Sequence, residues 1–157
     1  MTYGDFKEKL GEMSEQIVLK GRDHEKQYRV DVFCASRLGK LSEEIGAKLA
    51  AKDASGCGYY KDIFAIFGQT PVRIATLTCQ EWSIKPSKMQ AVFVDDDGLA
   101  DLEFPEAICE LHVRNLEKRR QNMLEKIEET KRKLKALEAE AKEIDDEMRS
   151  VRGIFKS

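Results

Sequence analysis

The pattern of hydrophobic and polar positions divides the chain into two parts. From Pro105 onward, apolar residues recur alternately every three and every four positions, and no glycine or proline follows until Gly153. Such a heptad pattern is typical of a helix that packs against another helix in a coiled coil. Pro105 and Glu106 suit a first turn, because proline presets φ and glutamate faces the positive end of the helix dipole. We predict a long helix over 105–152 and a short tail at 153–157.

Two heptad positions of this helix form an apolar stripe that something must cover. Position a holds Val113, Arg120, Ile127, Leu134, Ala141 and Met148, and position d holds Cys109, Leu116, Met123, Thr130, Leu137, Ile144 and Val151. The first turns of the helix, from Ile108 to Leu116, carry a second apolar stripe beside this one, so we expect them to dock on the rest of the chain. At 1.5 Å per residue the helix would be roughly 72 Å long, about twice the width of a 100-residue domain. A second copy of the chain is the simplest partner. The predicted dimerisation residues are Met123, Ile127, Thr130, Leu134, Leu137, Ala141, Ile144, Met148 and Val151. The alternative is a single solvated helix with charge pairs four residues apart.

Charge along the helix bears on how two copies would be oriented. Residues 112–135 hold nine basic and four acidic side chains, net +5, whereas 136–152 hold three and six, net −3. A parallel pair would lay the two basic halves together and the two acidic halves together, with mixed flanking pairs: Lys133–Glu138 attracts, for example, whereas Lys126–Lys131 repels. An antiparallel pair would lay the basic half against the acidic half, and this is our hypothesis.

Residues 1–104 predict an α+β head with a small antiparallel sheet and flanking helices. One helix is predicted over 5–20, with Gly21 at the capping position directly after its end, and a second over 40–52. Strands are predicted at Tyr28–Val32, Ile63–Phe67 and Val72–Thr76, and a hairpin joins Met89–Val94 to Leu99–Phe104 through an Asp-Gly turn. A helical interpretation of Tyr28–Val32 is a close alternative. Consecutive strands with short links favour antiparallel pairing.

Composition narrows the function classes. The chain has 157 residues, with 27 basic and 29 acidic side chains and a net charge of −2. This length suits one modest core rather than a large multidomain enzyme. The near-neutral charge argues against general charge-driven binding of nucleic acid. No apolar stretch is long enough to span a membrane, and the acidic start does not resemble a secretory signal.

The four cysteines point to a reducing compartment. Cys34, Cys57, Cys79 and Cys109 contain no paired spacing of the kind that a structural zinc site needs. We therefore expect four reduced thiols in a cytoplasmic protein, with Cys34 and Cys109 in the core.

Catalytic templates are missing from the sequence. Cys57 lies between two glycines and could act as a nucleophile, for which only His24 or His112 could serve as the base. A flexible turn with an incidental cysteine is the interpretation that we prefer. Asp95–Asp97 could hold a metal if another carboxylate converged, yet a turn needs nothing more than Asp-Gly chemistry. No phosphate loop or hydrolase motif occurs. We predict no catalytic residues, no metal, no cofactor and no enzymatic activity.

Aromatic and basic residues on predicted loops are the remaining candidates for binding a partner protein or a ligand. They are Tyr59, Tyr60, Arg73, Trp82 and Lys85. Such side chains often form the centres of interfaces, although rings at these positions could equally close the edge of a small core.

The leading hypothesis is a non-enzymatic homodimer that binds a partner protein through its head, as an adaptor, an assembly factor or an inhibitor of a larger machine. A small-ligand-binding protein with an aromatic and basic pocket is the first alternative. A nucleic-acid-binding protein that uses the basic half of the helix is the second.

Overall fold

The chain has the α+β fold that its sequence predicts. A computed structural model describes residues 1–54, 57–79 and 86–156, with the backbone alone at 57 and 58. The elements are, in chain order, α1 (Tyr3–Glu15), β1 (Val18–Leu19), α2 (Asp23–Phe33), a π-helical turn (Cys34–Leu38), α3 (Gly39–Ile45), β2 (Leu49–Ala54), β3 (Cys57–Phe67), β4 (Thr70–Thr78), β5 (Ser87–Lys88), β6 (Gln90–Phe93) and α4 (Phe104–Lys156).

Two antiparallel sheets organise the head. Four strands pair in the order β2-β3-β4-β6, and β1 pairs with β5. On β3 the odd-numbered residues from Tyr59 to Ala65 are buried, while the even-numbered residues between them are half-buried. This alternation gives the sheet one core face, as a period of two requires.

A β-bulge changes which residues of β4 face the core. Ile63 pairs with Ala75, but the next residue, Phe64, pairs with Arg73, so Ile74 is an extra residue in the ladder. As a result Ile74 and Ala75 are both fully buried. The strand prediction for Val72–Thr76 assumes that buried and exposed residues alternate, and the bulge breaks this alternation at Ile74 and Ala75.

The segment Tyr28–Val32 is helical, so its prediction as a strand is wrong. It lies in the middle of α2, where Val30 and Phe33 are buried three residues apart. Tyr28 and Val32, which the alternation would place on one buried face, are exposed. Burial of Val30 and Phe33 on one side of a helix therefore outweighs the apparent alternation of apolar and polar residues in Tyr28–Val32.

The helix predicted over 40–52 ends early. Gly46 adopts a left-handed conformation, with φ of +65°, and closes α3 after Ile45. Leu49 belongs instead to β2, where it pairs with Ala65. Similarly, α1 stops at Glu15, so the prediction over 5–20 is too long and Gly21 does not cap it.

The hairpin predicted around the Asp-Gly turn does not form. β6 pairs with β4, and residues after Gly98 bond to the beginning of the chain. The N–H groups of Tyr3 and Gly4 donate to carbonyls of Leu102 and Ala100, at 2.8 and 2.9 Å. Burial of Leu99 draws this segment under α1 rather than back along β6.

The start of α4 completes the core of the head. Phe104, Ala107, Ile108 and Leu111 are buried, and the ring of Phe104 meets that of Phe6 edge-on at 4.7 Å. Docking on the head was predicted for Ile108–Leu116, but the buried side chains of α4 end at Leu111. Val113 and Leu116 are exposed.

Cys109 was expected in the core and is exposed instead, because it lies beside the buried face of α4 and not on it. Cys34 packs partly buried against the core, as expected.

The contacts divide the chain into two compact units, Met1–Val113 and a second unit that begins at Arg114. In the second unit α4 continues without interruption through Gly153, beyond the predicted end at 152. Among the described residues, no helix is both long enough and apolar enough to cross a membrane.

Candidate functional site

The α4 stripe is the most extended apolar surface of the second unit. It consists of the a and d side chains from Met123 to Val151. Its leucine, isoleucine, methionine and valine side chains are 46% to 63% exposed. A water-soluble helix rarely leaves so many large apolar side chains in one line unless a partner covers them.

The surface of the stripe is shaped to accept side chains from a second helix. A depression of about 300 Å³ is lined by Met123, Lys126, Ile127, Thr130 and Lys131. The first four follow one another at steps of three, one and three residues, which is the spacing of a hole in knobs-into-holes packing.

Thr130 is the polar residue within the central stripe, and its hydroxyl is already satisfied. It donates to the carbonyl of Lys126 at 2.8 Å, within the same helix. A partner could therefore cover this position without leaving an unpaired hydroxyl group. Beside the stripe, Lys133 pairs with Glu129 at 3.0 Å in an exposed ion pair of small energetic value.

The head carries an open groove of about 390 Å³ between the end of α1, β1 and α2. Val18, Tyr28 and Val32 on its walls are exposed apolar or aromatic side chains. The groove is lined by Gln16, Ile17, Val18, Tyr28, Arg29, Val32, Phe33, Ser36 and Arg37.

The groove combines apolar walls with positive charge. Arg29 and Arg37 are its charged residues, and no described carboxylate forms an ion pair with either. Arg37 donates to the side-chain oxygen of Gln16. The π-helical turn that carries Arg37 is a wide turn of a kind often found at functional sites. The groove thus suits an apolar ligand that bears negative charge.

Lys61 is a buried charged group that holds the head together. Its ammonium group lies 2.8 Å from the Asp31 carboxylate on α2 and also bonds to Asp53, directly opposite on β2. Burial by itself lowers the pKa of Lys61, but hydrogen bonds to both carboxylates outweigh burial, and the pKa is raised. The charged lysine therefore ties α2 to the sheet and is not available as a neutral nucleophile.

The neighbouring Cys34 is not an activated thiol. Burial raises its pKa to about 11, although the charge of Lys61 opposes this and that of Asp31 adds to it. The thiolate, which is the reactive form, is therefore scarce at neutral pH.

The predicted aromatic and basic site is only partly described. Tyr59 is buried in the core, and Tyr60 donates to the Cys79 carbonyl at 2.7 Å. Arg73 is exposed on β4 opposite Phe64. That is four residues along β3 from Tyr60, or roughly 13 Å at 3.3 Å per residue. The structure therefore does not bring Arg73 together with the tyrosines.

Trp82 and Lys85 lie outside the described residues, so the site that includes them stays a prediction. The side chain of Cys57 also lies outside them. Asp96 pairs with Lys7 at 2.8 Å. Within residues 1–54, 57–79 and 86–156, no three metal-ligating side chains come together.

Sequence reasoning missed the groove because it treated Tyr28–Val32 as a strand. The signal was available: Arg29, Phe33 and Arg37 recur every four residues and would share one face of a helix.

No protein-family model, no curated protein and no solved structure matches this chain.

Proposed function

We propose that the chain is a non-enzymatic interaction protein that forms a homodimer through the α4 stripe and binds a partner protein through its head. The observation that carries the proposal is the stripe itself, a continuous line of half-exposed large apolar side chains in heptad spacing. Covering it against an identical stripe satisfies both copies at once, which is the geometry of a two-fold symmetric dimer.

Charge favours an antiparallel arrangement of the two helices. The basic half, 112–135, and the acidic half, 136–152, attract each other when one helix runs against the other. The same pairing neutralises the positive charge that a nucleic acid would need, so it disfavours that alternative.

Dimerisation would place two heads in one molecule. Two weak contacts with a partner then act as one stronger contact, because the second binding event is intramolecular. An adaptor, an assembly factor or an inhibitor of a larger machine would all gain from this. Cys34 and Cys109 are free thiols, which fits a cytoplasmic location.

The groove on the head is the surface that we assign to the partner protein. Its exposed Tyr28 and Val32 provide apolar contacts, and Arg29 and Arg37 provide charge. The matching chemistry is a partner segment with apolar side chains and at least one carboxylate, since arginine binds carboxylates in a two-pronged geometry.

The dimer is tested by sedimentation of the full chain and of a chain truncated after Asn115. We expect a dimer for the first and a folded monomer for the second, with head folding checked by circular dichroism. A truncated head that still sediments as a dimer, or a full chain that stays monomeric at high concentration, would contradict the proposal.

The groove is tested by selecting peptides that bind the full chain from a random library. We expect acidic peptides with apolar residues, and Arg29→Glu should weaken their binding about tenfold or more. Arg149→Glu is the matched control, because it makes the same charge change on an exposed arginine outside the groove and outside the α4 stripe. Equal losses for both variants would argue for unspecific charge attraction instead.

A further inference from the structure

We infer that the two α4 helices pair in one antiparallel register, in which Leu134 of each copy faces Leu137 of the other. This inference rests on the proposed dimer and specifies its interface residue by residue. We name this arrangement the Leu134–Leu137 register. Two shifts by one heptad give its nearest antiparallel alternatives, the Thr130–Leu134 register and the Leu137–Ala141 register.

Side-chain size is matched in the four central layers of the Leu134–Leu137 register, from Met123–Met148 to Leu134–Leu137. In an antiparallel coil each a residue packs against a d residue of the other helix, and symmetry repeats every layer twice. The layers are Leu116–Phe155, Arg120–Val151, Met123–Met148, Ile127–Ile144, Thr130–Ala141 and Leu134–Leu137. The two small side chains, Thr130 and Ala141, therefore face each other and not a large residue.

The residues that flank the stripe give the strongest argument. In an antiparallel coil each residue at position e, four after an a residue, approaches an e residue of the other helix. Each residue at position g, directly before an a residue, likewise approaches a g residue. In the Leu134–Leu137 register this creates four oppositely charged pairs, each present twice: Lys126–Glu147, Lys133–Glu140, Lys131–Glu138 and Glu117–Arg152. The remaining flanking pairs, Leu124–Asp145 and Arg119–Ile154, contain no like charges.

The shifted registers keep some attractive pairs but add repulsive ones. In the Thr130–Leu134 register, Lys131 and Lys133 each repel their own copy and Glu117 repels Asp145, while Lys126–Glu140 and Arg119–Glu147 attract. In the Leu137–Ala141 register, Glu138 and Glu140 each repel their own copy, while Lys131–Asp145 and Lys133–Glu147 attract.

A parallel pair is mixed as well, because Lys133–Glu138 and Glu147–Arg152 attract while Lys126–Lys131 and Glu140–Asp145 repel. Of the four arrangements, the Leu134–Leu137 register is the one whose charged flanking pairs all attract.

The register also accounts for an exposed ring at the end of α4. Phe155 is 86% exposed and falls at the next a position after Met148. In the Leu134–Leu137 register it packs on Leu116 of the second copy, which is itself 46% exposed. The interface then extends beyond Val151, the last dimerisation residue that the heptad count assigned.

Zero-length cross-linking of the unmodified full chain tests the register directly. A carbodiimide joins a lysine to a carboxylate only when the two groups touch. Lys126 and Glu147 are 21 residues apart, or about 31 Å along one helix, so a link between them must join two copies. We expect this link, found by mass spectrometry of the cross-linked dimer. A link of Lys126 to Glu140, or of Lys133 to Glu147, would reveal a shifted register and overturn the inference.

A charge-swap series gives an independent measurement in solution. Lys126→Glu should raise the dimer dissociation constant about tenfold, because two attractions become two repulsions. Adding Glu147→Lys should restore the original value. The matched controls are Lys126→Glu with Glu140→Lys and Lys133→Glu with Glu147→Lys, which would be restored only in one or the other shifted register.

The outcomes separate the two proposals. Restoration by Lys126→Glu with Glu147→Lys alone supports the register. A dimer restored by a control pair, or by no pair, overturns the register and leaves the dimer in place. A wild-type chain that stays monomeric overturns the proposed function and the register together.

Discussion

Ile127 offers a direct measure of how much the α4 stripe contributes to self-association. The substitution Ile127→Asp places a charge in the middle of the stripe, beside the depression that Met123 and Thr130 also line. In the proposed register it faces Ile144 of the second copy. Symmetry creates this layer twice, so the single substitution changes both layers.

The size of the effect follows from the exposures. Ile127 is 48% and Ile144 is 51% exposed in the single chain. Full burial of an isoleucine is worth about 1.5–3 kcal/mol, so covering the remaining half of each gains roughly 1 kcal/mol. The two layers hold four isoleucines, which together contribute about 4 kcal/mol. The substitution removes both Ile127 side chains and leaves both Ile144 side chains against a charge, so loss of this contribution raises the dissociation constant about a thousandfold.

Sedimentation velocity over a concentration series measures this change. The matched control is Ala139→Asp, which adds the same charge to an exposed position outside the a and d columns of the same helix. We expect the control to dimerise within a few-fold of the wild type. If Ile127→Asp and Ala139→Asp dimerise equally well, the stripe is not the interface and the reasoning fails.

Three further predictions concern the head. Phe104→Ala should lower the free energy of unfolding by about 3–5 kcal/mol, since it empties a fully buried ring site; a urea titration followed by near-ultraviolet circular dichroism measures it, and a loss under 1 kcal/mol would show that the site collapses. Because the pKa of Lys61 is raised in the folded head, its stabilisation is complete below the pKa of an unfolded lysine and is lost as pH rises through the folded value. The urea midpoint of the wild type should therefore fall between about pH 9 and pH 12, and Lys61→Met should make this fall smaller. An equal fall in the two proteins would refute the linkage. Iodoacetamide at neutral pH should modify exposed Cys109 well before Cys34, whose pKa is about 11; mass spectrometry gives the order, and the reverse order would contradict it.

The long helix could be predicted from the sequence because its evidence is local. Each turn of α4 repeats the same spacing of apolar residues, and Pro105 marks its first turn. The central strands could also be predicted, since Ile63–Phe67 is a continuous apolar run within β3. The pairing of consecutive strands in antiparallel order followed from their short connections.

The parts that could not be predicted depend on distant contacts. The Asp-Gly turn had the composition of a hairpin, but the following segment bonds to Tyr3 and Gly4 at the other end of the head. Tyr28–Val32 fits both periodicities over five residues, and only the burial of Val30 with Phe33 decides between them. The groove was missed with it, because its arginines share a face only in a helix.

The junction between the beginning of the head and α4 has a consequence for protein synthesis. Thr2 pairs with Glu103, and the N–H of Phe104 donates to the Met1 carbonyl at 3.1 Å. Residues 1–4 therefore cannot complete their contacts with the core until the residues near Phe104 have emerged from the ribosome. Once Phe104 and Leu111 have been translated, the head can close while the rest of α4 is still being made. The α4 stripe is then synthesised after the head, when the apolar side chains of the head are no longer available for mispairing.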